Sequence, residues 1–320
     1  AAVQQAIQWL NDAFANQGAY DQGSGSDAGI RFCLAQRTPD GQPTNGITRD
    51  QSPLTEFTIE GQQSALKSLN RWEPKDYLNI WVVRSICSAG SGCGISAYAY
   101  FPAFHGSDLD GVVAEPGAFG LSPAGTAVLA HEVGHYLGLY HTFEGGCTND
   151  DCLQQSDRVC DTPPDQSKAG VPCDQPVNTC PADALPDMTW NFLDYGNFAC
   201  WHDFTEGQAA RMNFFLTGAR KSLLDSKGCL PPCPLPTVAA FTPGDTTILA
   251  GQTLQFDNAS QNAVAFSWTL NGALFSSQQN AAWLFDSAGV YTVQLLAQPL
   301  NGQLCEAAAA QATVQVVCPV

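Results

Sequence analysis

The segment His131–His141 reads HEVGHYLGLYH, and it constrains the fold more than any other stretch of the chain. His131 and His135 are four positions apart. On an α-helix that spacing puts both imidazoles on one face, one turn from each other. Two neutral imidazoles so placed can chelate one zinc ion at about 2.0–2.1 Å each. Glu132 then points beside them, towards a metal-bound water rather than at the metal. Gly138 permits a sharp turn where a side chain would block it. That turn can bring His141 in as a third ligand. Three protein ligands with one open position make a catalytic zinc site rather than a closed structural one. The preceding Thr126–Ala130 is apolar and helix-forming, so a helix is expected over about residues 124–137.

The rest of the composition narrows the setting. A length of 320 residues implies two domains, and 44% apolar residues can supply a core to each. The net charge of -17, with only 13 Lys and Arg, leaves no basic stripe and argues against nucleic acid as a partner. No apolar run reaches the ~18–20 residues needed to span a bilayer. Thirteen cysteines indicate an oxidising, extracellular location. The first residues, AAVQQAIQWLNDAF, lack the basic and apolar regions of a signal peptide. A secreted chain already relieved of its signal is therefore expected.

Residues 2–17 read as an amphipathic helix, with Val3, Ile7, Leu10 and Phe14 on one face. Ile30–Ala35 reads as a strand, followed by a turn-rich stretch. Tyr77–Ile86, rich in β-branched and aromatic residues, is the strongest strand signal, and Ile95–Phe101 and Gly111–Ala114 follow it. Residues 142–203 show little periodicity and hold six cysteines, as expected of a segment stapled by disulfides. Thr205–Gln208 is a capping box opening a helix to about Leu224. Four prolines within Gly228–Pro236 mark a stiff linker. Beyond it, short strands are expected at Ile248–Leu249, Thr253–Phe256, Ala265–Leu270, Ala282–Phe285, Val290–Ala297 and Ala312–Val317, with turns at Asn271–Gly272 and Asn301–Gly302. That pattern is a small all-β sandwich. The expected division is a catalytic domain over residues 1–228, a linker over 229–236 and the sandwich over 237–320.

The zinc stretch extended to Cys147, HEVGHYLGLYHTFEGGC, resembles the pappalysin family of metzincin metallopeptidases. Phe32–Gly41, Asp157–Pro164, Asn191–Tyr195 and Phe204–Met212 resemble further segments of that family, in the right order over residues 1–227. The resemblance implies an α+β metzincin-type catalytic domain. An upper part carries a twisted mixed sheet and the zinc helix; a lower part is irregular and disulfide-rich. It implies His131, His135 and His141 as zinc ligands, Glu132 as general base and Tyr195 as an aid to the reaction. It implies structural calcium at Asp157, the Val159 carbonyl, Asp161 and Thr162, oxygen donors suited to a hard cation. It also implies Cys147–Cys180 and Cys173–Cys200 disulfides; Cys152–Cys160 and Cys87–Cys93 are added on proximity in sequence. Leu193 stands where the family's turn under the metal has Met, and it fills similar volume. Ala199 stands in a stretch where several relatives carry Asp, which puts any preference for a basic residue after the cut in doubt. Phe266–Gly272 and Phe285–Val293 resemble PKD-like domains, immunoglobulin-like sandwiches that act as spacers or docking surfaces.

The expected function is secreted, zinc-dependent cleavage of proteins and peptides. The alternatives are a non-catalytic adhesion protein built on the same scaffold and a hydrolase for small amides. Glu132 argues against the first, because a scaffold has no need of it. The resemblance implies a cleft that binds an extended chain as an added strand, which short amides cannot exploit, so a comparison of dipeptides with long peptides separates the second.

Overall fold

The structure is a computed structural model and describes residues 1–166, 169–233, 235–300 and 305–318. The turn expected at Asn301–Gly302 lies outside the described residues. The chain divides into two compact units, residues 1–34 with 47–229 and residues 35–46 with 230–320.

In the first unit, α1 (Ala2–Phe14) buries Ala6, Leu10, Ala13 and Phe14. β1 (Glu56–Thr58) leads into α2 (Ile59–Lys67), whose first turn is broken at Glu60 and Gly61. Two small sheets follow. β2 (Ile80–Val82), β5 (Ala97–Ala99) and β6 (Val112–Ala114) form one, with β6 central, parallel to β2 and antiparallel to β5. β1, β3 (Ser85–Ser88) and β4 (Gly92–Cys93) form the other, and the Cys87–Cys93 disulfide closes the β3–β4 hairpin. The strand expected over Tyr77–Ile86 is thus two strands in two sheets. Val83 N still donates to Ala114 O, but Arg84 N donates to Thr55 O, so the chain changes sheets within two residues.

The strand expected at Ile30–Ala35 is absent. The Asn11 side chain explains why: its amide donates to Phe32 O at 2.9 Å and its oxygen accepts from Phe32 N at 2.7 Å. One side chain thereby satisfies both backbone groups that a neighbouring strand would have met.

α3 (Pro123–Tyr136) is the central helix. Ser122 caps it by accepting from Gly125 N, and Pro123 occupies its first position, where a missing N–H is harmless. Ala127, Leu129, Ala130 and Val133 are buried in one core with Leu10, Phe14, Val112, Ala114, Leu193 and Phe204. Among the described residues of 142–203 there is no helix or longer strand. Disulfides Cys147–Cys180, Cys152–Cys160 and Cys173–Cys200 tie this stretch, and Cys33–Cys229 joins the first segment of the unit to its last residue. α4 (Glu206–Thr217) opens on a capping box between Thr205 and Gln208. It stops short of Leu224. Past Gly218 the chain turns so that buried Arg220 can pair with Asp110 through both guanidinium nitrogens, while its Nε donates to Tyr136 O.

The second unit is a β-sandwich. β7 (Phe241–Thr242), β9 (Gln252–Asn258) and β12 (Ala281–Phe285) form one sheet in the order β12-β9-β7. β8 (Thr246–Leu249), β10 (Ala263–Leu270), β11 (Ala273–Ser276), β13 (Gly289–Pro299) and β14 (Ala308–Val317) form the other, in the order β11-β10-β13-β14-β8. Trp268, Phe256, Phe285, Val293, Leu295, Val314 and Val316 fill the space between them. Asn271 and Gly272, both at positive φ, make the two-residue β10–β11 turn. Residues 35–46, which the sequence placed with the first domain, belong to this unit: Cys233 N donates to Gly41 O, and buried Arg37 pairs with Glu306. Cys233–Cys305 lies within the unit, and Cys318 is free and exposed.

Candidate metal centre

The helical spacing of His131 and His135 holds, and α3 ends at Tyr136, immediately before the turn that the third histidine requires. Gly138 makes that turn at φ +95°, and a Cβ there would lie 2.2 Å from Phe215. The chain doubles back, Leu139 N donates to Gly134 O, and His141 comes to face the helix. The three Nε2 atoms then lie 3.0, 3.1 and 3.3 Å from one another. A tetrahedral zinc ion with ligands at about 2.05 Å needs ligand atoms about 3.3 Å apart, so this spacing fits.

Backbone carbonyls set the ring tautomers. His131 Nδ1 lies 2.6 Å from Phe192 O and His135 Nδ1 lies 2.8 Å from Leu139 O. A carbonyl only accepts, so each Nδ1 carries the proton and each Nε2 presents a lone pair. Burial holds all three imidazoles neutral: it lowers His131 strongly and His135 as well, and with the charge of His135 it takes His141 down to about 3. His131 and His135 therefore have no Nε2 proton with which to bond each other. Converging, unprotonated nitrogen donors fit a cation. Among the described residues, this is the only group of three His, Cys, Asp or Glu side chains whose ligand atoms lie so close together.

Aromatic rings wall the cluster. Trp201 stacks on His131 at 5.1 Å, Phe143 stacks on His141 at 4.6 Å, and Phe101 lies 5.4 Å from His135. Leu193, fully buried, packs beneath α3, where Gly134 leaves room for it. Tyr195, two residues on, is 43% exposed, with its ring 4.7 Å from that of His141. Burial, and then the charge of Glu132, raises its pKa. Glu132 is 7% exposed. Burial pushes it up to about 8, against a lowering contribution from the Ala99 backbone on β5.

The Asp157–Thr162 turn is closed on itself. Thr162 Oγ1 donates to Asp157 Oδ2 and to Val159 O, and Val159 N donates to Asp157 Oδ1. Asp161 accepts from Thr205 Oγ1 and Gly207 N at the start of α4. The two remaining histidines sit elsewhere: His105 bonds Ser222 and Arg220, and His202 lies 3.6 Å from Asp203. Sequence reasoning missed the orienting carbonyls of Phe192 and Leu139 and the stacking rings of Trp201 and Phe143. The carbonyls carry no side-chain signal. The rings are only aromatic residues at no fixed distance from the motif.

Comparison with known proteins agrees with this geometry. The family model described as Pregnancy-associated plasma protein-A, peptidase M43, matches residues 61–217. An extracellular metalloprotease of Verticillium alfalfae is 37% identical over 187 residues, which cover 53% of this chain and 60% of that protein. One from Podospora anserina is 31% identical over 225 residues, 65% of this chain and 66% of that protein. The chain thus spans 60–66% of the length of these relatives. Among solved structures, mirolysin in complex with compound 9 is 30% identical, covers 72% of this chain and 91% of its own, and superposes with a TM-score of 0.61. Mature mirolysin of Tannerella forsythia in complex with a cleaved peptide is 31% identical, covers 69% and 87%, and gives a TM-score of 0.59. The histidine cluster falls inside the matched segment and the shared fold takes in nearly the whole of mirolysin, so the chain belongs to the pappalysin family of metalloproteases.

Proposed function

We propose that the chain is a secreted zinc-dependent endopeptidase that hydrolyses peptide bonds in proteins and peptides. The observation that carries this reading is the convergence of three neutral imidazole Nε2 atoms beside a buried glutamate. His131, His135 and His141 would hold one zinc ion. When bound, zinc supplies Lewis acidity, acidifying water and polarising a carbonyl oxygen. Glu132, in a dry pocket against β5, accepts the proton of the attacking water and returns it to the leaving amine. Its carboxyl is held on α3 one residue from the first ligand, so little reorganisation is needed. Tyr195 offers a hydroxyl to the oxyanion. The stacked Trp201 and Phe143 hold two imidazoles in place and exclude water around them. Relatives named extracellular support secretion, and among the described residues no helix is long and apolar enough to cross a membrane.

Calcium at Asp157, the Val159 carbonyl, Asp161 and Thr162 belongs to the same reading. So does a PKD-like role for the sandwich as a spacer that can offer a docking surface to substrates. The test is Glu132→Ala in the zinc-loaded protein. Zinc content should stay at one equivalent while casein cleavage is lost; continued, chelator-sensitive cleavage by that variant rejects the assignment of the base.

A further inference from the structure

A pair of side-chain amides ties the turn beneath the histidine cluster to α4. Asn191, two residues before Leu193, and Gln208, in the first turn of α4, are both fully buried. Asn191 Nδ2 donates to Gln208 Oε1 at 2.8 Å, and Gln208 Nε2 donates back to Asn191 Oδ1 at 2.9 Å. Two backbone groups decide which end of each amide is oxygen. Leu193 N donates to Asn191 Oδ1 at 2.9 Å, and Thr205 N donates to Gln208 Oε1 at 3.0 Å. An N–H only donates, so neither amide can be turned around. The capping box of α4 needs Thr205 and Gln208 alone. The bonds to Asn191 go beyond what the helix start requires.

The Phe192–Leu193 peptide lies at the other end of this network. Its N–H is the group that Asn191 holds, and its C=O is the group that accepts from His131 Nδ1 at 2.6 Å. A trans peptide is planar, so fixing the N–H also fixes the direction of the C=O. The bonds run head to tail, from imidazole to peptide, from peptide to Asn191, and from Asn191 to Gln208. In such a chain each amide that donates becomes a better acceptor. A better acceptor at Nδ1 makes Nε2 a stronger metal donor. Stacking on Trp201, at an interplanar angle of 10°, sets the plane of the His131 ring but not its rotation within that plane. The Phe192 carbonyl supplies the missing restraint.

We propose that Asn191 and Gln208 are positioning residues for the metal centre, orienting His131 and strengthening its hold on zinc through the Phe192–Leu193 peptide. The proposal rests on the zinc peptidase reading above. Neither amide reaches the metal or the substrate; both act on the ligand. Without the Gln208 amide, Asn191 loses one donor and one acceptor, the peptide is free to tilt, and His131 Nε2 leaves its place 3.0 and 3.3 Å from the other two nitrogens.

The experiment measures zinc affinity by chelator competition on folded wild type, Gln208→Met and Asn11→Ala, and records the imidazole Nδ1–H signals of the zinc-loaded proteins by NMR. Gln208→Met should bind zinc about 10- to 100-fold more weakly. Its His131 Nδ1–H signal should move upfield, while that of His135, whose acceptor is Leu139 O, stays in place. Asn11→Ala loses two hydrogen bonds of similar length to Phe32 and should keep both the affinity and the His131 signal. Unchanged zinc affinity or an unmoved His131 signal in Gln208→Met overturns the proposal. So does an equal loss of affinity in Asn11→Ala, since destabilisation alone would then account for it. If Gln208→Met does not fold, Gln208→Asn, one methylene too short to reach Asn191, is judged by the same two readings. A wild type that binds no zinc rejects the peptidase reading itself and this proposal with it.

Discussion

Gly138→Ala is the most informative perturbation of the scaffold, because two separable penalties meet there. At φ +95° an alanine sits outside the regions open to L-residues, a strain of about 1–2 kcal/mol. Its Cβ would also stand 2.2, 2.5 and 2.8 Å from three ring atoms of Phe215. Overpacking of that kind adds about 1–3 kcal/mol as the ring is forced aside. The sum is about 2–5 kcal/mol. Phe215→Ala empties the space but leaves the backbone angle, so Gly138→Ala in that background should cost only about 1–2 kcal/mol. Urea unfolding of the four proteins, followed by tryptophan fluorescence with zinc present, measures the coupling directly. The single variant should also bind zinc more weakly, since His141 lies three residues beyond the distorted turn. A cost below about 0.5 kcal/mol for Gly138→Ala, or an equal cost in both backgrounds, refutes the packing argument.

Three other outcomes follow from the same structure. Leu193→Ala removes a fully buried side chain under α3 and should destabilise the unit by about 2.7–5.0 kcal/mol in urea, whereas Leu193→Met should cost less than about 1.5 kcal/mol. Replacing both Cys173 and Cys200 by serine opens a loop of 27 residues, which should cost about 3.6 kcal/mol by loop entropy; a shift under about 1 kcal/mol indicates that the lower part is already ordered without the bridge. Burial and the charge of Asp194 give Asp165 a folded-state pKa of about 8, raised above an unfolded value of about 3.9. Its contribution is therefore fully present below the unfolded value and lost as pH rises through about 8. The thermal midpoint of wild type should fall relative to Asp165→Asn between about pH 4 and 8 and level off above that. A constant difference over that range rejects the shifted titration.

Much of the metal centre was legible because its logic is local. A helix fixes the spacing of His131 and His135, and a glycine releases the turn that carries His141. The α4 start was equally readable, since Thr205 and Gln208 form their cap within four residues. What failed depended on distant partners. Ile30–Ala35 has the apolar content of a strand, yet Asn11, on α1, takes the hydrogen bonds of Phe32. Tyr77–Ile86 has strand character throughout, but its two halves answer to different neighbours. The end of α4 was misjudged because a buried Asp110 demands Arg220 in a position that no helix extension provides. Asn191 and Gln208 stand 17 positions apart, so no local pattern announces their pairing.

The membership of residues 35–46 bears on how this protein can be dissected. The sandwich is not an appendage attached at one point, since it borrows a short early piece of chain as well as the late one. A gene cut after Cys229 would leave Arg37 stripped of Glu306 and Gly41 without Cys233, exposing a guanidinium and a backbone carbonyl that the intact protein keeps covered. A fragment starting at Leu230 would carry the complementary wound. Expression of either half alone should therefore be planned around the borrowed segment, either by trimming it from the first or by grafting it onto the second.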